Sequence, residues 1–462
     1  MRTPGVLVIH NRYRQAGGED TVVRAEVALL RQHGHRVIEY VHDNSDIETF
    51  NPLSKAALML SATWNPQVYF ELRQLIRTER PGVAHCHNLL PLISPAAYYA
   101  CRAEGVPVVQ TLHNFRMRCP AGTLFRKEAA CKDCGGSVSR AVMRGCYRNS
   151  RIQTAAVALM QGTHRALGTW ERVVDAYSVP SQFCLERIAA GGVPRDKITL
   201  RPNFLLNDPG PRNACGEYAV FVGRLCVEKG IRQLLWAWRR LRRIPLVIVG
   251  DGPLRGEAEK YIDRNGMENV RLTGTVPPAE ALAQMKRARF LVFPSVGYET
   301  FGMTVLEAAA CGVATVGTRL GAIPELVDEG KTGLLFDPHD TDGFVEKTDW
   351  AWTHPVSMNE MGAAARRRCL QHYSADNGYD ALMGIYGSVM AKRGVEQSEE
   401  WAVARQVVAD TQPQMSPEVK WQQYQATERR NRTRCRYRGP STPFVRRGDS
   451  LRQDDKSWNL SC

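Results

Sequence analysis

Two carboxylates, Glu299 and Glu307, stand with seven residues between them in the stretch Phe293 to Gly312, FPSVGYETFGMTVLEAAACG. Glu299 precedes a helix start and Glu307 falls about two turns further on, so the pair addresses two parts of one extended ligand rather than flanking a single bond. A sugar at one end and a ribose at the other fit that spacing. The backbone N–H groups of Thr300, Phe301, Gly302, Met303 and Thr304 lie at the helix N-terminus, where unpaired donors suit an anion or sugar hydroxyls. Gly302 removes the side chain that would block close approach. The competing reading is that both glutamates are solvated, the commoner fate of the residue type.

Cations come from a second loop. In YAVFVGRLCVEKGI, Arg224 and Lys229 bracket a strand-to-helix turn after Gly223 and could clamp a diphosphate; as isolated residues they would be solvated. Small residues end neighbouring strands at Gly250, Gly252 and Gly274 to Val276, which leaves room for a base and ribose. In the amino-terminal half, Gly17 and Gly18 of AGGED open a helix and let backbone N–H groups approach a phosphate or sugar, the alternative being simple helix capping. His113 and Asn114 end a strand, where ligand sites of α/β sheets form. His85 and His87 share one face of another strand by the two-residue period and are read as structural or cleft-lining, with metal binding as the alternative.

Cys119, Cys131, Cys134 and Cys146 follow the pattern C-x11-C-x2-C-x11-C. Four thiolates so spaced could hold a structural zinc, and free cysteines in a lid or a redox pair are the other readings. The chain has 13 cysteines, which in a cytosolic protein are thiols rather than a disulfide framework.

The elements that must position these groups alternate. Strands are expected at Val6–His10, Arg36–Val41, Gly82–Asn88, Val106–Leu112, Ala176–Ser181, Tyr218–Arg224, Pro245–Val249, Val270–Val276, Arg289–Phe293, Val313–Gly317 and Gly333–Phe336. Helices fall between them, at Thr21–Gly34, Pro66–Arg80, Ile152–Val174, Phe183–Gly191 and Gly230–Arg242. Such βαβ alternation predicts an α/β fold of doubly wound parallel sheets. Pro194 to Asp208 reads as a connection between two domains.

The segment E-T-F-G-M-T-V-L-E resembles the E-x7-E signature of retaining glycosyltransferases of family 4 (group 1), and the resemblance covers about residues 5 to 392. It implies the GT-B fold, two Rossmann-like domains facing across a cleft: an acceptor-binding domain at 1–200, with a Cys-rich insertion at 115–150, and a nucleotide-sugar domain at 201–373. A helix at 374–393 crosses back to the first domain. It further implies Glu299 on sugar hydroxyls, Glu307 on the ribose, His113 on the transferred sugar, Arg224 and Lys229 on the donor phosphates, and Gly17 and Gly18 at the cleft mouth. Gly-Arg-x4-Lys-Gly and the Pro-Asn of Arg201-Pro202-Asn203-Phe204 resemble further family segments. The insertion HNFRMRCPAGTLFRKEAACKDC resembles that of a subgroup with cysteines just after the cleft histidine.

Activity then reads as sugar transfer from a nucleotide diphosphate to a saccharide or lipid-linked saccharide in cell-surface polysaccharide synthesis. No Asp-x-Asp motif is seen that would hold a divalent ion against the diphosphate, so no cofactor is expected for catalysis. The alternatives are a non-catalytic sugar-nucleotide-binding or assembly protein and a GT-B epimerase or hydrolase. The formal charge is +14, and the tail from Thr411 holds 11 Lys or Arg against 5 Asp or Glu. A basic surface and the amphipathic stretch Asn51 to Trp64 suit peripheral contact with an anionic membrane; no nucleic-acid motif is visible. With no apolar run near the roughly 20 residues of a membrane span and no signal-peptide pattern, a cytoplasmic place, at the inner face of the plasma membrane, is expected. The tail, 394–462, lacks periodicity and reads as disordered or poorly packed.

Overall fold

The structure, a computed structural model, describes residues 5–394 apart from 14–16, 132, 135–136 and 213–215; the basic tail from 395 onward lies outside them. Two parallel six-stranded sheets organise the rest. The first contains β1 (Gly5–Arg12), β2 (Val37–Asp43), β3 (Pro81–Cys86) and β4 (Val108–Thr111). A small antiparallel hairpin, β5 (Phe125–Arg126) with β6 (Ala129–Ala130), interrupts the chain before β7 (Ala176–Val179) and β8 (Ile198–Leu200) complete that sheet. Its spatial order is β2-β1-β3-β4-β7-β8.

The second sheet is built from β9 (Tyr218–Val222), β10 (Leu246–Val249), β11 (Val270–Gly274), β12 (Ala288–Phe293), β13 (Thr315–Thr318) and β14 (Gly333–Phe336), in the order β11-β10-β9-β12-β13-β14. Parallel neighbours need helical crossovers that cover both sheet faces, which is why VLVIHN of β1 and YAVF of β9 are buried at every residue. Winding reverses between β1 and β3 in one sheet and between β9 and β12 in the other. Crevices at the carboxyl ends of those strand pairs are where such sheets bind ligands. The loops that leave β1, β9 and β12 carry Gly17, Arg224 and Glu299.

The core of the first lobe joins Val6, Val8, Val23 and Val27 to Leu382, Met383, Tyr386 and Met390 of the helix Ala375–Lys392, which contacts the first helix, Gly18–Gln32, and strands β3 and β4. In the second lobe Trp238, Phe290 and Phe344 pack one face of the sheet, and Phe293, Leu306 and Ile323 the other.

Three expectations change. Pro194 to Asp208 is more than a connection, since it supplies a 3-10 turn, Arg195–Lys197, and the edge strand β8. The helical region from Ile152 splits into Arg151–Ala166 and Thr169–Arg172 because Gly168 takes a left-handed conformation, φ +64°. His87 lies one residue beyond β3, though its ring still lies beside that of His85, tilted by 36° with centroids 4.3 Å apart. Helices Arg255–Arg264 and Pro278–Lys286 were not legible as such in the sequence.

Candidate active site

The loop between β12 and the helix Met303–Ala310 is fixed from several sides. Lys229 Nζ donates to Glu299 Oε1 at 2.8 Å and sits 5.4 Å from the Phe293 ring centre. Ser295 Oγ donates to the same carboxylate oxygen, and Thr318 Oγ1 holds the Ser295 carbonyl at 2.8 Å. Glu299 is therefore a held carboxylate at the cleft rather than a solvated one. A Cβ on Gly321 would come within 2.7 Å of the Glu299 backbone, so the following turn must be glycine.

Gly302 caps the cleft helix at φ +113°, with a built Cβ 2.9 Å from Ile323 Cδ1. No side chain among the described residues caps this helix, so its first N–H groups have no side-chain acceptor. Phe301 contributes only backbone, since its ring is buried edge-on to Tyr373, centroids 5.8 Å apart. Thr300 offers its carbonyl to the opposite lobe, where Ser181 Oγ donates to it at 2.7 Å. Met303 and Thr304 are half-buried.

Glu307 is half-buried, and its carboxyl has no hydrogen-bond partner among the described residues. Burial alone pushes its pKa up to about 7. Arg224 is exposed and paired with Glu228 at 2.9 Å, on the loop whose other end carries Lys229. Gly223, Gly250 and Gly274 meet at the ends of β9, β10 and β11: Gly250 N–H donates to the Gly274 carbonyl at 2.9 Å, and a Cβ on Gly250, at φ +135°, would lie 2.0 Å from the Gly223 oxygen. Val276, just past β11, packs on the core beside Val222.

From the first lobe, a Cβ on Gly18 would reach Met303 Cγ at 3.8 Å, so the starts of the helices Gly18–Gln32 and Met303–Ala310 oppose one another across the cleft. Gly17 N–H donates to Asp20 Oδ2 at 3.1 Å, which fits the capping alternative. Asp20 also bonds His10 Nε2 at 2.9 Å; burial raises its pKa, but the His10 and Gly17 hydrogen bonds outweigh this and hold it below the ordinary value. Neither Asp20 nor His10 was singled out as a site residue from the sequence.

His113 lines a pocket with Glu19, Asn114, Arg116, Gln161 and Trp170. Its Nε2 lies 2.9 Å from His87 Nδ1, and burial lowers its pKa. Two contacts between the lobes were not foreseen. Glu325 accepts from the backbone N–H groups of Gln182 and Phe183, each at 2.8 Å, and Arg232 pairs with Glu128 of the cysteine insertion as well as with Glu257.

Cys119, Cys131, Cys134 and Cys146 are brought together. Burial pushes the Cys134 thiol up to about 11, with the three other cysteines adding to the shift. Among the described residues, however, the group of His, Cys, Asp or Glu donors within 4.8 Å of one another is Glu26, His85 and His87, not the cysteines. A four-thiolate zinc tetrahedron needs sulfurs about 3.8 Å apart. The quartet as placed is looser than that.

Residues 16–205 match the family model Glycosyltransferase Family 4, and residues 216–354 match Glycosyl transferases group 1. Over 178 residues, 38% of this chain, the sequence is 30% identical to the O-antigen chain mannosyltransferase C of Escherichia coli; the chain spans about half, 48%, of that relative. A glycosyltransferase from Rickettsia africae superposes with a TM-score of 0.62 at 14% identity, covering 84% of this chain and 99% of the other. Anabaena HepE in complex with UDP gives 0.59 at 16% identity, covering 83% and 100%. One matched region falls on each sheet, and the likeness to these solved structures shows the GT-B fold.

Proposed function

We propose that the protein moves a sugar from a nucleotide diphosphate to a saccharide or lipid-linked saccharide acceptor, with retention at the anomeric carbon, in cell-surface polysaccharide synthesis. The observation that carries this reading is the opposition of two helix starts, at Gly18 and at Met303, beside the held pair Lys229 and Glu299.

As the bond from the anomeric carbon to the diphosphate oxygen breaks, negative charge grows on the leaving group. Arg224, Lys229 and the uncapped N–H groups after Gly302 absorb it without a metal. Glu299 holds sugar hydroxyls and Glu307 the ribose, while His113 meets the sugar from the opposite lobe. No side chain stands out as a covalent nucleophile, which favours attack from the face the leaving group departs; the acceptor hydroxyl then passes its proton to the departing phosphate oxygen. Gly223, Gly250, Gly274 and Val276 border the base and ribose. The acceptor belongs to the pocket beside His113.

A structural zinc is proposed for the cysteine quartet, with the sulfurs drawn closer than they stand. Metal analysis of the purified chain checks it: about one zinc per chain is expected, and none would remove it.

Thermal-shift screening of nucleotide sugars, with UDP as the first probe because HepE binds it, precedes transfer assays on lipid-linked acceptors. Glu299→Ala should lower kcat about 10²–10³-fold with nucleotide still bound, and the product linkage should keep the donor's anomeric configuration. Unchanged function in Glu299→Ala would point to a non-catalytic binding protein, and free sugar released in water alone to a hydrolase.

A further inference from the structure

Behind His113 runs a buried line of polar groups that sugar transfer as described does not use. Glu26, on the first helix, and Arg201, after β8, are each 1% exposed, and Arg201 Nη2 donates to Glu26 Oε1. The other carboxylate oxygen, Oε2, lies 3.5 Å from His87 Nε2 and 3.5 Å from His85 Nδ1. Neither Glu26 Oε2 nor His87 Nε2 has a full hydrogen bond. On its far side His87 Nδ1 meets His113 Nε2 at 2.9 Å.

We propose that Glu26 and His87 are positioning residues that fix the tautomer of His113, so that its Nδ1 offers a hydrogen-bond acceptor to a sugar hydroxyl. The proposal rests on the reading of His113 as a sugar contact.

The argument is a count of protons. Burial lowers the pKa values of His85, His87 and His113, so each ring is neutral near pH 7 and carries one N–H. Burial opposes the ionisation of Glu26, but the charge of Arg201, with its hydrogen bond, leads the causes that hold its pKa below the ordinary value, so the carboxylate is charged. One proton lies between His87 Nδ1 and His113 Nε2. If His87 supplied it, the bare Nε2 of His87 would turn its lone pair on the Glu26 carboxylate. If His113 supplies it, His87 carries its N–H on Nε2, facing Glu26 Oε2. The second arrangement wins because an N–H beside a buried anion is favourable and a lone pair there is not. His113 then has its proton on Nε2. Its Nδ1, which has no hydrogen-bond partner among the described residues, is left as an acceptor.

A metal at Glu26, His85 and His87 is the competing use of these donors, which lie within 4.8 Å of one another. Both ring nitrogens of His85 are already engaged, by Tyr386 OH and Thr111 Oγ1 at 2.7 Å each, and Arg201 already neutralises Glu26. No free ligand set remains for a cation.

The test is the tautomer itself, read by long-range proton–nitrogen correlation NMR on the full chain with 15N-labelled histidine, the His113 signals being those lost in His113→Asn. The wild-type chain is expected to show Nε2 protonated and Nδ1 bare; a protonated Nδ1 overturns the proposal. Glu26→Gln places an amide N–H donor against His87 Nε2, so a folded variant should invert the line and put the His113 proton on Nδ1. A folded Glu26→Gln chain with the wild-type tautomer also overturns it. The wild-type spectrum stands if that variant fails to fold. No donor or acceptor is needed, so this result is separate from any failure to detect sugar transfer.

Discussion

Glu307 joins burial to recognition through one proton. Its folded pKa of about 7 lies above the ordinary 4.5, so between those values the native state binds more protons than the unfolded chain. The stability it contributes is present below about pH 4.5 and is lost as pH rises towards 7. Melting temperature across that window, measured without ligand, should slope less in Glu307→Gln than in the wild type. A ribose changes the sign of what is useful, because an ionised carboxylate accepts hydroxyl hydrogen bonds of about 1.5–3 kcal/mol, and losing them weakens UDP binding roughly 10–100-fold. Titration calorimetry should find UDP affinity of the wild type rising with pH through 7 and that of Glu307→Gln flat and weaker. Glu299, Glu307, Lys229 and His113 were singled out because motif spacing and strand ends lie along the chain. Glu26 and Arg201 were not: their contact joins positions 175 apart, and no local pattern marks a glutamate on an apolar helix face as the anchor of a histidine pair.

At the scale of elements, the cleft is made of helix starts and the turns that aim them. Gly302→Ala would force a side chain into left-handed backbone and against Ile323, costing about 1–3 kcal/mol. A fall in melting temperature of several degrees, together with weaker UDP binding, is the expected result, and an unchanged melt would contradict the strain. Glu325 caps the helix Gln182–Ala189 from the opposite lobe, a role that stabilises such starts by about 0.5–2 kcal/mol. In Glu325→Ala the lobes should part more readily: KM for the donor rises several-fold with kcat nearly kept, and small-angle scattering shows a larger radius of gyration. A loss confined to kcat would place Glu325 in the chemistry instead. Alternation of strand and helix was readable because parallel strands buried on both faces are apolar throughout. The edge strand β8 escaped notice because ITL is only three residues long and follows the turn Arg195–Lys197. The clamp at Glu325 escaped because it crosses between lobes.

For the whole molecule, surface and connectivity set the remaining behaviour. No helix among the described residues is long and apolar enough to cross a membrane. On the first lobe, however, Leu53 and Leu60 of the helix Pro52–Ser61 are 82% and 70% exposed, and the helix Arg151–Ala166 that it contacts exposes Ile152 at 68%. We propose that this face docks on anionic lipid. Co-sedimentation with vesicles containing phosphatidylglycerol should be strong at low salt, weaken as salt screens the charge, and fall in Leu53→Asp with Leu60→Asp; no binding at low salt would end the idea.

The helix Ala375–Lys392 carries one last consequence. Leu382, Met383, Tyr386, Val389 and Met390 fill the core of the lobe that begins at Gly5, whereas β9 to β14 and their helices form an uninterrupted run between them. During synthesis on the ribosome the strands of the first lobe emerge well before the helix Ala375–Lys392 that completes their core. The later half can finish folding before the earlier one does, the reverse of the usual order for a nascent chain.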